Sequence, residues 1–234
     1  MRAFTRRILL LFSAVATWVV TCWMGAVSLA APGVAPVLDA EARLLERMAR
    51  EGTNVAVLYE LGDVCHSAGV DGDKEAVLRG ESYLRQLLAI APTNAPGMAL
   101  LGSVYTLKGR DAFWPTTQVR LVREGNGYMD RAVDLAPRDV RTRVTRAFNN
   151  AHMPDFLGRS DVVIADLQWL WGKVQTEPDS MTLSERQEVA LHWGRRLKRQ
   201  SKSEEARAIW ETAVGFGPST PMARKITAEL EKLR

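Results

Sequence analysis

The chain has 234 residues, of which 47% are hydrophobic and 25% are charged, a composition typical of a globular protein rather than a disordered one. Its net charge of +4 comes largely from residues 1–30, which hold three arginines and no acidic residue. The remaining residues carry 28 basic and 27 acidic side chains, a net charge of +1. Because a nucleic-acid-binding domain needs clustered basic residues, we predict no nucleic-acid partner.

The first 30 residues have the plan of an export signal. The basic stretch MRAFTRR precedes residues 8–31, which carry no charge, and Ser28 and Ala30 place small residues at the −3 and −1 positions of a cleavage site. The uncharged run is also long enough to span a bilayer, so an uncleaved membrane anchor is the alternative. Both alternatives export residues 31–234, either to the periplasm or to the outer face of the cytoplasmic membrane. Membrane contact is expected only through residues 8–31, and only if they are retained.

The rest of the chain is predicted to be all-α. Apolar residues recur at spacings of three and four, no alternating run indicates a strand, and Gly, Pro, Asn, Asp and Ser mark the connections. The predicted helices are 37–49, 54–68, 75–90, 98–108, 118–135, 140–151, 162–174, 183–199, 204–214 and 223–233. Cys65 is the single cysteine after residue 30, so we predict a buried, unreactive thiol and no internal disulfide.

Parts of the chain repeat a pattern. GESYLRQLLAIAP at 80–92 and GNGYMDRAVDLAP at 125–137 both run from Gly through Tyr and a large apolar residue to Ala-Pro. Near the C-terminus, Gly194 is followed by Ala206, Trp210, Ala213 and Pro218. Small residues let two helices approach closely, the large residue fills the remaining gap, and proline ends the unit.

These gaps resemble those of the tetratricopeptide repeat (TPR) family, in which each unit is a pair of antiparallel helices. The resemblance implies a right-handed α-solenoid of about four units with irregular insertions. The units are placed at 54–92, 95–137, 140–178 and 183–218, and a capping helix at 221–234 follows them.

The resemblance also aligns the two helices within each unit. It places Gly62 and Gly102 on first helices, opposite Gly80 and Gly125 on second helices. In the third unit it selects Ala147 on the first helix, with the residues Ala165, Trp169 and Gly172 on the second. The first and second units exceed the expected spacing by six and eleven residues, and the second insertion holds GRDAFWPTTQ, where Trp114 is a candidate exposed binding residue.

The sequence carries few signals of metal binding or catalysis. His66, His152 and His192 stand far apart without further ligands at metal spacing, so we predict no metal and no cofactor. Neither a nucleophile elbow nor a phosphate-binding glycine loop is present, so we predict that the protein is not an enzyme. The remaining enzymatic alternative uses the insertion at 110–118, and it requires a deep pocket with titratable groups of perturbed pKa.

First helices of TPR units line a concave groove, and the resemblance therefore implies a set of partner-binding residues. These are Tyr59, Asp63 and His66 in the first unit, Arg141, Val144, Phe148 and His152 in the third, and Glu188, Leu191, Arg195, Lys198 and Arg199 in the fourth. The groove is expected to be mixed in charge at one end and basic at the other, which suits an acidic peptide or an acidic loop of a partner.

The function expected from these observations is protein–protein interaction without catalysis, outside the cytoplasmic membrane, with a peptide or partner protein held in the concave groove. The alternative is a membrane-tethered accessory subunit of an envelope transport or assembly complex. The sequence does not fix the oligomeric state.

Overall fold

The computed structural model describes residues 34–153 and 157–233, with side chains from residue 38 onward, and the predicted export segment lies outside these residues. This part of the chain contains ten α-helices and no strand, so the all-α prediction is confirmed. The helices are α1 Val34–Glu51, α2 Val55–Val70, α3 Lys74–Ile90, α4 Ala95–Asp111, α5 Pro115–Leu135, α6 Val140–Ala151, α7 Ser160–Thr176, α8 Leu183–Arg199, α9 Ser203–Gly215 and α10 Pro221–Glu231. A 3₁₀ turn, Pro178–Ser180, precedes α8. None of these ten helices is both long and apolar enough to cross a membrane.

Side-chain caps begin most of the helices. The capping residues Asn54, Asp73, Asn94, Asp139, Thr182 and Thr220 each accept a hydrogen bond from a backbone N–H three residues later. Helices α4, α5 and α10 also have proline in their first turn, where the missing N–H costs nothing. For this reason α4 and α5 each begin three residues before the predicted start, at positions that were interpreted as loop.

The helices form four antiparallel hairpins, α2–α3, α4–α5, α6–α7 and α8–α9. The first helices of successive hairpins also pack on one another, in the order α2, α4, α6 and α8, and α10 packs on α8 at the end. Helix α1 packs on α2 at the other end. This arrangement is an α-solenoid, in which each unit contacts only its neighbours.

Glycines set the closest approaches within three hairpins. A Cβ on Gly62 would lie 2.6 Å from Leu84 of α3, and a Cβ on Gly102 would lie 2.5 Å from the carbonyl oxygen of Gly125. A Cβ on Gly194 would lie 2.9 Å from Cδ1 of Trp210 and closer still to its Nε1. The predicted small-to-large contacts of these hairpins are therefore confirmed.

The third hairpin differs from the prediction. Ala165 is exposed, and a Cβ on Gly172 would contact nothing within 4 Å, so neither residue lies at the contact with α6. The buried residues of α7 are Val163, Asp166, Leu167, Leu170 and Val174. The predicted face of α7 was wrong because the charged Asp166, paired with arginines of α6, occupies the core side.

The additional residues of the second unit lie mostly within helices. Helix α4 has 17 residues and α5 has 21, and only residues 112–114 connect them. The link carries Phe113 and Trp114, which are 84% and 67% exposed. The stretch 110–118 is therefore a longer hairpin with an aromatic tip.

Candidate functional site

A cleft of about 790 Å³ lies on the face formed by the stacked first helices α2, α4 and α6. Helix α8 contributes Glu185 and Glu188, α5 contributes Val122, and the connection after α6 contributes Met153 and Leu157. The cleft therefore spans at least three units of the solenoid, which is the position where a repeat array presents an extended binding surface.

Most of the groove residues selected from the sequence line this cleft. The structure brings together Tyr59, Asp63, His66, Arg141, Val144, Phe148, His152 and Glu188.

The basic end of the predicted groove does not belong to the cleft. Arg195, Lys198 and Arg199 are absent from its lining, as is the buried Leu191. The guanidinium of Arg195 donates from Nε and Nη2 to Glu229 Oε1 at 3.0 and 2.7 Å, which ties α8 to α10. Arg195 and Lys198 occupy the same helical register as the cleft residues. However, α8 belongs to the final hairpin, and the single helix α10 packs on it where a further unit would otherwise stand.

The sequence interpretation also missed part of the site. Asp63 and His66 lie one and four residues after Gly62, and the same register after Gly102 selects Ser103 and Thr106, both of which line the cleft. The second unit therefore carries the same positional signal as the first. The apolar wall consists of Val70 and Leu107, on the same faces of α2 and α4 as these polar residues, and of Val122, Met153 and Leu157. The last three lie outside the first helices, so the register does not select them.

A hydrogen-bonded network joins the three first helices at the base of the cleft. His66 Nε2 of α2 lies 2.8 Å from Ser103 Oγ of α4. Asn149 of α6 donates from Nδ2 to Ser103 Oγ at 2.9 Å and to Thr106 Oγ1 at 2.6 Å. The Oδ1 atom of Asn149 is buried and has no hydrogen-bond partner in the described part of the chain. The network therefore fixes the relative positions of α2, α4 and α6.

Burial controls the protonation of His66. It lowers the pKa of this imidazole to about 4, so the ring is neutral at physiological pH. The contact with Ser103 resembles a serine–histidine pair, but Ser103 is 4% exposed, lies within α4, and also receives the Asn149 hydrogen bond. Within 34–153 and 157–233, no carboxylate orients the other ring nitrogen of His66, as an activated nucleophile would require.

One wall of the cleft has mixed charge. The guanidinium of Arg141 lies 5.8 Å from the ring centroid of Tyr59. Desolvation raises the pKa of Asp63, while Arg141 opposes that rise and Glu185 adds to it. Asp63 accepts no hydrogen bond and has no cation within 4.0 Å in the described residues, so its carboxylate is available to a ligand.

Two further residues that line the cleft, Phe148 and His152, pack on the buried His192 of α8. The ring centroid of His192 lies 5.9 Å from that of Phe148 and 5.0 Å from that of His152. Burial lowers the pKa of His192, and the carboxylate of Glu188, whose Oε1 lies 3.7 Å from His192 Nε2, opposes that shift. Within the described ranges, His, Cys, Asp and Glu side chains form no cluster of three or more that could hold a metal ion.

Comparison with known proteins bears on the fold. Neither protein-family models nor curated protein sequences match the chain. The structure is similar to TTC0263, a thermophilic TPR protein of Thermus thermophilus, with a TM-score of 0.63 and 16% identity over 84% of this chain and 90% of that one. Two structures of MamA, from MSR-1 and AMB-1, align with TM-scores of 0.43 at 18% identity, covering 78% and 80% of this chain and 88% and 86% of theirs. At 16% identity the similarity to TTC0263 concerns the fold. The chain folds as a TPR-like α-solenoid.

Proposed function

We propose that this protein is a non-catalytic interaction module that binds an extended segment of a partner protein in the cleft between α2, α4 and α6. The observation that carries the proposal is the cleft itself, which spans successive repeat units and combines an apolar wall with a few charged groups. Pockets for side chains beside oriented polar groups are typical of surfaces that recognise a peptide by both shape and charge.

The lining also suggests the chemistry of the segment. Apolar side chains of the partner would pack on Leu107, Val122 and Phe148, away from water. Asp63 has no hydrogen bond of its own, so a lysine, arginine or amine of the partner would supply the donor that it lacks. We therefore propose that the cleft takes a segment with apolar residues and one cationic group. The acidic partner expected from Arg195, Lys198 and Arg199 would need a separate site at the α8 end.

The proposed location is outside the cytoplasm, and the support for it is the basic and uncharged pattern of residues 1–31. A membrane-tethered accessory subunit is the second form of this proposal. Expression of the full chain with a C-terminal tag, followed by membrane fractionation and sequencing of the mature N-terminus, distinguishes the two forms. A cleaved, soluble product supports a free periplasmic protein, and retention with an intact N-terminus supports the tethered one.

Site-directed photocrosslinking tests the cleft in the intact protein. A photoreactive amino acid replaces Ser67 or Thr145 in the cleft, or Gln86 on the exposed face of α3 as a control. We expect one partner to crosslink from both cleft positions and not from position 86, because Ser67 and Thr145 line the cleft and Gln86 does not. Equal crosslinking from all three positions would exclude the cleft as the specific site.

A charge series then tests the recognition chemistry with the captured partner. Asp63→Asn removes the available carboxylate, and Asp134→Asn removes an exposed carboxylate from α5 as a matched control. We expect about 10- to 150-fold weaker binding for the first variant and no change for the second, since a charge-assisted hydrogen bond contributes about 1.5–3 kcal/mol. If the Lys198→Gln/Arg199→Gln variant loses binding and Asp63→Asn keeps it, the basic α8 end is the site.

A further inference from the structure

The link between α4 and α5 carries the most exposed large apolar side chains of the described residues. Phe113 is 84% exposed and Trp114 is 67% exposed, and their rings form an edge-to-face pair with centroids 5.1 Å apart. Val119, in the second turn of α5, is 36% exposed on the same hairpin. Adjacent aromatic side chains at the tip of a protruding hairpin are unusual on a surface that contacts only water.

The position of this tip within the fold is informative. Helices α1 and α2 are antiparallel, because they pack on each other, only residues 52–54 connect them, and Arg47 near the end of α1 pairs with Glu60 in the second turn of α2. The first residues of α1 therefore lie near the C-terminal end of α2, where Val70 is 55% exposed.

Helix α4 ends at the same edge. Arg110, one turn before the aromatic tip, donates hydrogen bonds to the backbone carbonyls of Gly69 at 2.9 Å and Val70 at 3.3 Å. The aromatic tip, Val70 and the beginning of α1 thus share one edge of the solenoid. The chain that enters α1 at this edge is preceded by the 24 uncharged residues 8–31.

We propose that this edge, with Phe113 and Trp114 at its tip, rests on a phospholipid bilayer. An aromatic ring with a polar atom, such as the Trp114 indole, is favoured at the headgroup level, where its apolar body leaves water and its N–H stays hydrated. Arg120 and Arg123 are exposed on the following turns of α5, within reach of lipid phosphates, although Arg120 also has Glu124 at 3.5 Å. A bilayer is favoured over a protein pocket because the described chain begins at this edge with Val34, three residues after the uncharged run 8–31 ends. In the membrane-tethered form, on which this inference rests, that short connection would hold the tip beside the membrane at high effective concentration.

The proposal is tested with a fluorescent label in the full chain. Cys22→Ser removes the cysteine of the uncharged run, and Cys65 does not react because it is buried and its pKa is raised to about 12. The environment-sensitive dye NBD is attached at Phe113→Cys, or at Gln86→Cys on α3 as a control. The protein is reconstituted into phosphatidylcholine–phosphatidylglycerol vesicles, with and without brominated acyl chains.

We expect the label at position 113 to emit further to the blue in vesicles and to lose more than half of its emission to brominated lipid, and the label at position 86 to do neither. Adding Trp114→Ser to the position-113 protein should reverse most of the shift. A label at 113 that remains water-like in vesicles, or equal quenching at both positions, overturns the proposal. A blue shift that needs added membrane proteins and is absent in pure lipid also overturns it, and would assign the tip to a protein partner.

Discussion

At the scale of single residues, the closest helix contacts depend on glycines that leave no room for a methyl group. Gly194 faces the fully buried indole of Trp210, whereas Gly172, also within a helix, has open space around its Cα. The same substitution should therefore have opposite effects at the two sites.

We expect Gly194→Ala to lower the free energy of unfolding by about 2–3 kcal/mol, because the new methyl group forces α8 and α9 apart or displaces Trp210. Gly172→Ala should leave stability unchanged or raise it by about 0.5–1 kcal/mol, through the higher helix propensity of alanine. Urea denaturation followed by circular dichroism measures both variants. Equal losses would mean that the close contact at Gly194 has no special role.

His66 predicts the pH dependence of stability. Its folded-state pKa of about 4 lies below the ordinary value of 6.5, so below pH 6.5 the unfolded chain binds a proton that the folded chain excludes. The associated stability is complete above pH 6.5 and is lost progressively as the pH falls toward 4. At roughly 1.4 kcal/mol per pKa unit, the loss at pH 4.5 is on the order of 2–3 kcal/mol.

Urea denaturation at pH 7 and pH 4.5 checks this effect, with His66→Gln as the comparison. Glutamine keeps a donor for Ser103 but does not titrate, so the variant should lose correspondingly less stability on acidification. Other groups contribute equally to both proteins. Identical losses in the two proteins would show that His66 is not the titrating group.

At the scale of helices, a buried charge network fixes α7 on α6. Asp166 is fully buried and accepts hydrogen bonds from Arg143 at 2.6 Å and from Arg146 at 2.7 and 2.9 Å. Arg146 and Arg159 also bind Asp130 of α5, so the network extends across the second and third hairpins. Replacing one member leaves the opposite charges poorly solvated and unpaired.

We expect Asp166→Asn to destabilise the protein by about 3 kcal/mol or more, since both arginines lose their buried carboxylate. Glu177→Gln, which removes the exposed pair with Lys173, should cost less than about 0.5 kcal/mol. Thermal or urea unfolding of the two variants provides the comparison. A similar small effect for both would indicate that solvent compensates the Asp166 site.

The sequence predicted helices and glycine contacts well because both signals are local or repeat at fixed spacing. Gly62, Gly102 and Gly194 occupy equivalent positions on the first helices of their hairpins. Each faces a large residue of the second helix, and the structure confirms these contacts. The face of α7 was missed because it depends on the pairing of Asp166 with arginines 20 and 23 residues away, which no periodicity shows. Arg195 followed the correct register, but the register does not show that α10 packs on α8 and that its Glu229 pairs with Arg195.

At the scale of the whole molecule, stability is expected to vary along the array. Each repeat unit contacts only the units beside it, so the helices at the two ends of the array have fewer packing partners than those in the middle. Helix α1 has Leu38 at 48% and Leu45 at 37% exposure, while α4 buries eleven residues between its neighbours.

Hydrogen–deuterium exchange with mass spectrometry should therefore show the fastest exchange in α1 and the slowest in α4 and the buried side of α5. Helix α10 should be intermediate, since Ile226 is fully buried and Glu229 binds Arg195. Uniform protection from α1 to α10 would instead indicate that the array opens as one cooperative unit.

The backbone contact between Gly102 and Gly125 has a mechanical consequence. With no side chains between them, α4 and α5 touch through their main chains, and this contact cannot yield by rotating a side chain. When the molecule is pulled from its two ends, the α4–α5 hairpin should resist extension most. The contacts between this hairpin and the units on either side should give way first. In optical tweezers we expect the α4–α5 hairpin to rupture last, at the highest force of the trace.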